Sequence, residues 1–407
     1  MQIAWRNVWR NPRRTWLTTG AIAFAIFLIV FARATQIGSF DTMIESTTGF
    51  MTGHIQVQHS SYKEDPVLKH VVGNKTPLLE QLQSTVGIAY ASARLQTFAL
   101  VSVDEKSAGA LVMGVDPANE KNMFRLADSL YAGRYLENTQ ELVMGRLLAR
   151  NLGAQLGDEV VLLGSQLEGG VAALVVKLVG LFDTGQTELD RGMLQIPYAA
   201  FQEGFGLKDD AHLLAIRLND FHDADKIANT IRGFMQVQAS EQIRVYTWQE
   251  LMPEIQQSID MKLSSSKLFF GMLVLMVTFS IVNTYIMTVV ERTPEFGMLI
   301  AIGMRPWSIV WLLSLEALFV SLLGIVIGLA ISGVLVGILS RVGIPLPQEA
   351  AELLRQFHMP DRFYPEWSWR AALQVGLLMF ASTQTAALFS TLRVRKLVPA
   401  AAMHVRN

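Results

Sequence analysis

The sequence predicts a membrane protein with four transmembrane α-helices and a large mixed α+β extracytoplasmic domain inserted between helices 1 and 2. Only 17% of the 407 residues are charged and 51% are hydrophobic. The apolar residues concentrate in four stretches, each about as long as the roughly 20 residues that a helix needs to cross a bilayer. Between the first and second stretches, patterns typical of strands and helices alternate over a long segment.

The charge distribution predicts how the chain crosses the membrane. The predicted spans are residues 15–37, 267–290, 308–340 and 371–392. The first fourteen residues hold four arginines and no acid, so the positive-inside rule places the N-terminus in the cytoplasm. Four crossings return the tail, 393–407, to that side. The segment 38–266 and the loop 341–370 are then expected on the outer side.

The outer segment has the sequence features of a mixed α+β domain. Gly53–His59 alternates apolar and polar residues as a half-buried strand does. Glu141–Gly164 is typical of a strand, a short helix, a turn and a second strand. Thr247 and Glu250 form a capping-box pattern at the start of a helix. No helix breaker lies between Pro253 and Val290, which predicts a stalk that continues into the second span.

A short segment with helix-start and helix-stop residues, 291–307, separates the second and third spans. Thr293 suits an N-cap, Pro294 suits the first turn, and Glu295 suits the positive end of the helix dipole. Gly303 suits the left-handed residue that closes a helix. The apolar side is supplied by Phe296, Leu299, Ile300 and Ile302. The pattern predicts an amphipathic helix of two to three turns, which is either a turn with an interfacial anchor or a helix that docks another protein.

Polar residues inside the predicted spans need partners. Glu316 lies in the third span, where a carboxylate is costly unless it is paired, neutral or near the interface. It is either a structural anchor or a switch. Asn283 and Gln384 are expected to form hydrogen bonds across helices. Gly324 and Gly328 allow close helix approach, within one chain or between two.

Several classes of chemistry find no support in the residues. The sequence has no cysteine, which excludes thiolate catalysis and cysteine-ligated metals. The net charge of −1 gives no reason to expect nucleic-acid binding. The phosphate-loop pattern G-x-x-x-x-G-K-[ST] does not occur, nor do the zinc-protease and serine-hydrolase patterns. We therefore expect no enzymatic activity, and no metal or cofactor, in this chain.

Four stretches resemble the FtsX-like, or MacB-type, ABC transporter permeases, which are also called type VII. "ERTPEFGMLIAIGM" is similar to the family signature, whose usual form is near E-R-T-x-E-I-G-x-L-R-A-I-G-A. "AWRNVWRNPRRTWLTTGAIAFAI" resembles the family's amphipathic cytoplasmic N-terminal helix, here 1–14, leading into the first span. "ELVMGRLLARNLGAQLGDEVVL" resembles its extracytoplasmic domain, and "RVRKLVPAAAM" its C-terminal tail. The start of the outer domain is most similar to the lipoprotein-releasing branch.

The resemblance implies a permease subunit without a motor of its own. ATP and magnesium would be bound by a dimer of a separate cytoplasmic ABC ATPase, and its closing would push on the segment 291–307. The residues that would couple to it are Glu291, Arg292, Thr293, Glu295, Phe296, Gly297, Leu299 and Gly303. Pro294, Ile300 and Met304 depart from the family pattern and indicate a dedicated ATPase. Further expected partners are a second permease copy or paralogue, membrane lipids, and a periplasmic carrier or adaptor.

The implied location is the bacterial inner membrane, with both termini in the cytoplasm. The implied function is ATP-driven extraction or release of lipoproteins, or of another amphiphilic cargo, from that membrane. Two alternatives stay open. One is efflux of peptides or small molecules from the periplasm, and the other is a signalling permease that activates a periplasmic hydrolase.

Overall fold

The chain forms two compact units. The structure, a computed structural model, describes residues 2–237, 242–348 and 362–392. Of these residues, the first unit comprises 2–41, 258–346 and 362–392, and the second comprises 42–237, 242–257 and 347–348. The predicted tail, 393–407, and the middle of the predicted loop 341–370 lie outside the described residues.

The secondary-structure elements are numbered in chain order. The helices are α1 Gln2–Arg10, α2 Pro12–Thr47, α3 Lys75–Gln83, α4 Pro117–Met123, α5 Arg146–Leu152, α6 Thr187–Gly192, α7 Tyr198–Phe205, α8 Ala224–Val237, α9 Trp248–Leu251, α10 Pro253–Glu291, α11 Thr293–Ala301, α12 Pro306–Val342 and α13 Trp369–Thr391. The strands are β1 Ile55–His59, β2 Val72–Gly73, β3 Ile88–Val103, β4 Lys106–Val115, β5 Leu130–Gly133, β6 Glu141–Gly145, β7 Glu159–Ser165, β8 Val171–Phe182, β9 Met193–Pro197, β10 Asp210–Ala211, β11 Leu213–Leu218, β12 Ile243–Thr247, β13 Ile344–Pro345 and β14 Arg362–Phe363. A π-helical turn, Thr48–Thr52, follows α2.

Four described helices are long and apolar enough to cross a membrane: α2, α10, α12 and α13. They coincide with the four predicted spans and extend beyond most of their predicted ends. The helix α10 is continuous over 39 residues, as the lack of a breaker predicts. The capping box of Thr247 and Glu250 is confirmed. The helix that it starts, however, ends at Leu251, because Met252 precedes a proline and takes a non-helical conformation with φ −126°.

Within the first unit, α12 packs closely against α2. A Cβ at Gly324 would lie 2.8 Å from Cγ2 of Ile22, and one at Gly328 would lie 2.7 Å from the carbonyl oxygen of Ala23. These distances leave no room for a side chain. The two glycines that the sequence left open between two roles therefore serve helix packing within this chain.

The polar residues of the spans follow the expectation only in part. Gln384 Nε2 in α13 donates to Ser321 Oγ in α12 at 3.1 Å, which confirms one predicted hydrogen bond between helices. Asn283 is exposed on α10. Its predicted hydrogen bond to another helix stays a prediction.

Six strands of the second unit close into a ring. The order of the strands around the ring is β3, β4, β9, β6, β8 and β7. Each strand pairs with the next, and β7 pairs with β3 to close the ring. The pairs β4–β9 and β6–β8 are parallel, and the other four are antiparallel. Fully buried side chains from all six of these strands join one apolar core, among them Val101, Val112, Leu142, Leu162, Leu178 and Leu194. The strand pattern in Glu141–Gly164 is thereby confirmed.

The sheet continues from β3 through β11 and β1 to β12. Gly53–His59 does form a strand, but the prediction of one solvated face is wrong. Gln56 and Gln58 are only 6% and 3% exposed, because β1 lies between two neighbours and is covered on both faces. The Gln56 amide meets its hydrogen-bonding requirement by donating to the Thr52 carbonyl at 2.8 Å.

One ion pair lies entirely in the interior of the second unit. The side chains of Arg94 and Glu120 have no solvent exposure and form two parallel hydrogen bonds. The Arg94 guanidinium also donates to the Met51 carbonyl and stacks 3.6 Å from the centre of the Phe124 ring. Glu120 accepts a further hydrogen bond from Gln195 at 3.2 Å. The charges are therefore paired and hydrogen-bonded on all sides, as buried charges must be.

Candidate functional site

The candidate site is built around the short helix α11, which a single residue separates from α10. That residue, Arg292, is the N-cap, and Thr293 is the first helical residue. The prediction that Thr293 caps the helix is therefore wrong. Its hydroxyl instead donates to the Val289 carbonyl of α10 at 2.7 Å, because so short a junction leaves the last carbonyls of α10 within its reach. Pro294 and Glu295 occupy the first turn, as predicted.

Gly303 ends the segment in the left-handed conformation that its position predicts, with φ +101°. Its N–H donates to the Ile300 carbonyl at 2.9 Å, and the N–H of Met304 donates to the Leu299 carbonyl at 3.0 Å. This pair of bonds is the Schellman motif, which satisfies the last carbonyls of a helix. The helix is thus closed at a fixed residue before α12 begins.

The two sides of α11 have different environments. Phe296 is fully buried, and it packs with Val289, Ile309 and Leu313 from the flanking helices. Gly297 is buried as well. Leu299 and Ile300 pack at the edge of this cluster. This side attaches α11 to the membrane unit, so Phe296 and Gly297, both predicted to face a partner, do not lie on the open surface.

The opposite side of α11 is apolar and open. Met298 is 60% exposed and Ile302 is 79% exposed. Ile302 was expected on the same apolar side as Phe296, and that expectation is wrong. The sequence spacing did not distinguish the two sides because both carry apolar residues. Glu295, whose side chain is 45% exposed, borders the open side.

Glu316 of α12 is paired, which removes most of the cost of a carboxylate at this depth. Arg292 Nη1 lies 3.2 Å from Glu316 Oε2, and Asn7 Nδ2 donates to Glu316 Oε1 at 2.6 Å. Arg292 Nε also lies 3.2 Å from Glu295 Oε2, and Arg10 Nη2 lies 2.5 Å from Glu295 Oε1. The pairing agrees with a structural anchor.

A second ion pair joins α2 to the end of α10. Arg14 Nη1 donates to Glu291 Oε2 at 3.0 Å, and Arg14 Nη2 donates to the Thr284 carbonyl at 2.8 Å. Every charged residue predicted in the coupling segment up to Glu295 thus has a partner. Arg10 and Arg14 were predicted only as markers of topology, and no role was predicted for Asn7. The signal that could have identified the two arginines was the need of Glu295 and Glu291 for a counter-charge, and the signal for Asn7 was the need of Glu316 for a partner.

The charges in this site cancel. Three arginines, at positions 10, 14 and 292, face three glutamates, at positions 291, 295 and 316. Partial burial raises the pKa of Glu295, but hydrogen bonds from Arg10 and Arg292 outweigh it and hold that pKa below its usual value. A cavity of about 60 Å³, lined by Arg10, Arg14, Arg292 and Glu316 among others, lies beside the cluster.

The arrangement of paired charges holds neighbouring helices together. In residues 2–237, 242–348 and 362–392, no group of three or more histidine, cysteine or acidic side chains is placed to hold a metal ion. Each carboxylate of the site is engaged by an arginine or an amide. What the site offers to its surroundings is an apolar patch, Met298 and Ile302, on a helix that is fixed from behind.

Two protein-family models match the chain. The model of the FtsX-like permease C-terminal domain matches residues 267–399. The model of the MacB-like periplasmic core domain matches residues 15–234. Together they account for most of the chain, and the first contains α11 and Glu316.

Individual relatives are distant. The chain is 23% identical to the lipoprotein-releasing system transmembrane protein LolC of Xylella fastidiosa, over 62% of this chain and 60% of that protein. It is 22% identical to the macrolide export ATP-binding/permease protein MacB of Acinetobacter baylyi, over 81% of this chain and 50% of that protein. The chain therefore matches only about three fifths, or less, of the length of these relatives. Among solved structures, the crystal structure of the periplasmic region of MacB from Actinobacillus actinomycetemcomitans matches with a TM-score of 0.38. The sequence identity is 14%, and the alignment covers 52% of this chain and 94% of the MacB chain.

Proposed function

The chain belongs to the FtsX/MacB-type ABC transporter permeases, and from this premise we propose that it transmits ATP-driven motion from a cytoplasmic ATPase to its outer domain. Permeases of this kind are inner-membrane proteins that work with an ATPase. In the proposal, α11 is the coupling helix and the ATPase docks on its open side. No nucleotide needs to bind to this chain, because the partner supplies ATP hydrolysis.

The observation that carries the proposal is the two-sided character of α11. Phe296 is fully buried between the flanking helices, whereas Met298 and Ile302 are mostly exposed. An exposed apolar patch on a helix that is anchored from behind is suited to contact another protein. A mere interfacial turn would not require the two apolar sides to be separated in this way.

The proposed topology follows from the charges of the sequence. Both termini and α11 lie in the cytoplasm, since arginines dominate the first fourteen residues. The strands and short helices of the second unit, which lie in the chain between α2 and α10, then face the periplasm. The unbroken helix α10 connects it to the residue before α11, so a displacement of α11 acts on one end of that helix.

The proposed cargo is a lipoprotein or another amphiphile that the complex extracts from the inner membrane. Support comes from the printed name of the LolC relative, a lipoprotein-releasing transmembrane protein, and from the resemblance of the segment that opens the outer domain. On this proposal a second permease copy or paralogue completes the complex, and a periplasmic carrier receives the cargo.

A second candidate is export of a small molecule from the periplasm. It is favoured by the MacB relative, named for macrolide export, whose match extends over 81% of this chain. The two candidates share the docking of the ATPase and differ in the cargo and in the periplasmic partner.

One reconstitution experiment tests the proposal. The full chain is co-expressed with the ABC ATPase encoded next to it, and the complex is placed in proteoliposomes that contain an acylated lipoprotein. We expect ATP-dependent release of that protein from the membrane, and no release of the same protein when a transmembrane helix replaces its acyl chains. Met298→Glu and Ile302→Glu should each reduce complex formation and ATP-dependent release at least tenfold, because a charge replaces an apolar contact.

Val86→Glu is the matched control, since Val86 is 94% exposed and lies in the second unit. It should leave both measurements unchanged. Unchanged complex formation in both α11 variants would overturn the docking proposal. Release of a macrolide-like compound without release of the lipoprotein would favour export instead.

A further inference from the structure

We propose that the N-terminal helix α1 is part of the coupling machinery, with Glu316 as the residue that positions it, so that α1, α11 and the start of α12 move as one body. The proposal rests on the proposed function, because it concerns how a push on α11 spreads through the membrane unit. A displacement of α11 would otherwise be transmitted only to the second and third spans, and the proposal adds the first span.

Four polar contacts, together with the backbone of α1, form a closed ring, which we call the coupling ring. Glu316 contacts Asn7 at 2.6 Å and Arg292 at 3.2 Å. Glu295 contacts Arg292 at 3.2 Å and Arg10 at 2.5 Å. Asn7 and Arg10 are three residues apart and so lie on one side of α1. The ring thus passes once through each of α1, α11 with its N-cap, and α12.

The ring has an inner and an outer half. The side chains of Arg292 and Glu316 are 12% and 10% exposed, whereas those of Arg10 and Glu295 are 49% and 45% exposed. A carboxylate that is so little exposed strongly requires its partners. Glu316 contacts both α1 and the N-cap of α11, which makes it the residue on which the position of the other members depends.

Apolar packing supports the same assembly. Ala4 and Val8 of α1 are buried, at 0% and 4% exposure. The Trp5 ring lies edge-on to Phe319 of α12, with ring centres 5.4 Å apart. One side of α1 is therefore packed within the first unit, with Trp5 against α12, and the ring fixes the end of α1 nearest to α11.

The arrangement gives a displacement of α11 a direct path to α2. Only Asn11 separates α1 from α2, and Arg14 in the first turns of α2 contacts Glu291 at the end of α10 at 3.0 Å. A push on α11 reaches α2 through both contacts. The first and second spans then respond together, whereas a free N-terminal helix would leave the first span behind.

The central test removes only the contacts of α1. In the reconstituted complex with its ATPase, the double variant Asn7→Ala/Arg10→Ala should reduce cargo-stimulated ATP turnover at least fivefold. The affinity of the ATPase for the permease should change less than threefold, because neither residue lies on the open side of α11. Arg6→Ala is the matched control, because Arg6 is an exposed arginine of the same helix that is outside the ring.

A positioning role for Glu316 predicts a specific pattern of rescue. Glu316→Ala should uncouple turnover from docking, and Glu316→Gln, which keeps the shape and the bond to Asn7, should restore part of the coupling. Full coupling in the α1 double variant, or a loss no larger than in Arg6→Ala, would overturn the proposal. Failure of docking in all preparations, including the unsubstituted chain, would instead refute the proposed function.

Discussion

The two units hold their least exposed ion pairs in different ways. Arg94 and Glu120 of the second unit have no solvent exposure, and each has further partners: a carbonyl and an aromatic ring for the arginine, and the Gln195 amide for the glutamate. Arg292 and Glu316 of the first unit retain about a tenth of their exposure, and a cavity of about 60 Å³ lies beside them.

The difference indicates what each pair is for. A fully desolvated and fully bonded pair has one favourable geometry, since any separation exposes a buried charge. The pair in the second unit therefore fixes a rigid domain. The pair in the first unit lies next to a cavity, and its outer neighbours Arg10 and Glu295 are half-exposed. It can shift as a group without a comparable cost, which suits an element that transmits motion.

The largest expected effect comes from breaking the buried pair. Glu120→Ala should lower the free energy of unfolding of the second unit by about 3–5 kcal/mol, because it leaves Arg94 buried without its counter-charge. The measurement is urea denaturation of the full chain in detergent, followed by hydrogen exchange in β3 and β4. Glu137→Ala, whose side chain is 60% exposed, is the control and should stay within about 0.5 kcal/mol.

Replacing both Arg94 and Glu120 by apolar residues distinguishes the cost of an unpaired buried charge from the contribution of side-chain packing. Arg94→Met/Glu120→Leu removes both charges and should recover most of the stability that Glu120→Ala loses. A single substitution that costs less than about 1 kcal/mol would show that the pair does not fix the second unit.

The next effect, counted per residue, is expected from pH, and it is centred on the second unit. Burial lowers the pKa of His54 and of His212 to about 4, and each ring accepts a backbone N–H at Nδ1 that protonation would break. Below pH 6.5 the unfolded chain binds a proton that the folded unit does not. Stability is therefore fully present above about pH 6.5 and falls as the pH drops toward 4, by about 3 kcal/mol per histidine.

Hydrogen exchange of the full chain at pH 7 and pH 4.5 checks this prediction. Peptides of the second unit should lose protection at the lower pH, and His54→Gln should remove about half of the change. The described part of the first unit contains no histidine, so its protection should change much less. Equal acid sensitivity of the two units would contradict the prediction.

The smallest effect on stability is expected at the outer half of the coupling ring. Arg10→Ala should lower the free energy of unfolding by less than about 1 kcal/mol, because exposed ion pairs contribute about 0.2–1 kcal/mol. The difference should shrink further in 0.5 M salt, where exposed charges are screened. Thermal denaturation of the full chain at two salt concentrations measures it, and a loss comparable to that of Glu120→Ala would contradict the contrast between the two units.

The sequence located much of the site along the chain, but it did not predict which residues contact each other there. The pattern from Thr293 to Gly303 predicted a short helix of the observed length with the observed end. It did not predict that Thr293 would bond backward to α10, because that depends on how few residues separate the two helices. It also placed Ile302 on the same apolar side as Phe296, since hydrophobic spacing alone does not distinguish an apolar surface that packs from one that stays open.

What the sequence determined by itself is local or compositional. The four apolar stretches, the unbroken run from Pro253 and the closure at Gly303 follow from residue type and spacing, since helix formation depends mainly on near neighbours. Only the tertiary structure decided which distant charges meet. Glu316 required a partner, but Asn7 and Arg292 are 309 and 24 residues away from it in the chain. Contacts between residues so far apart arise from helix packing, which no local pattern encodes.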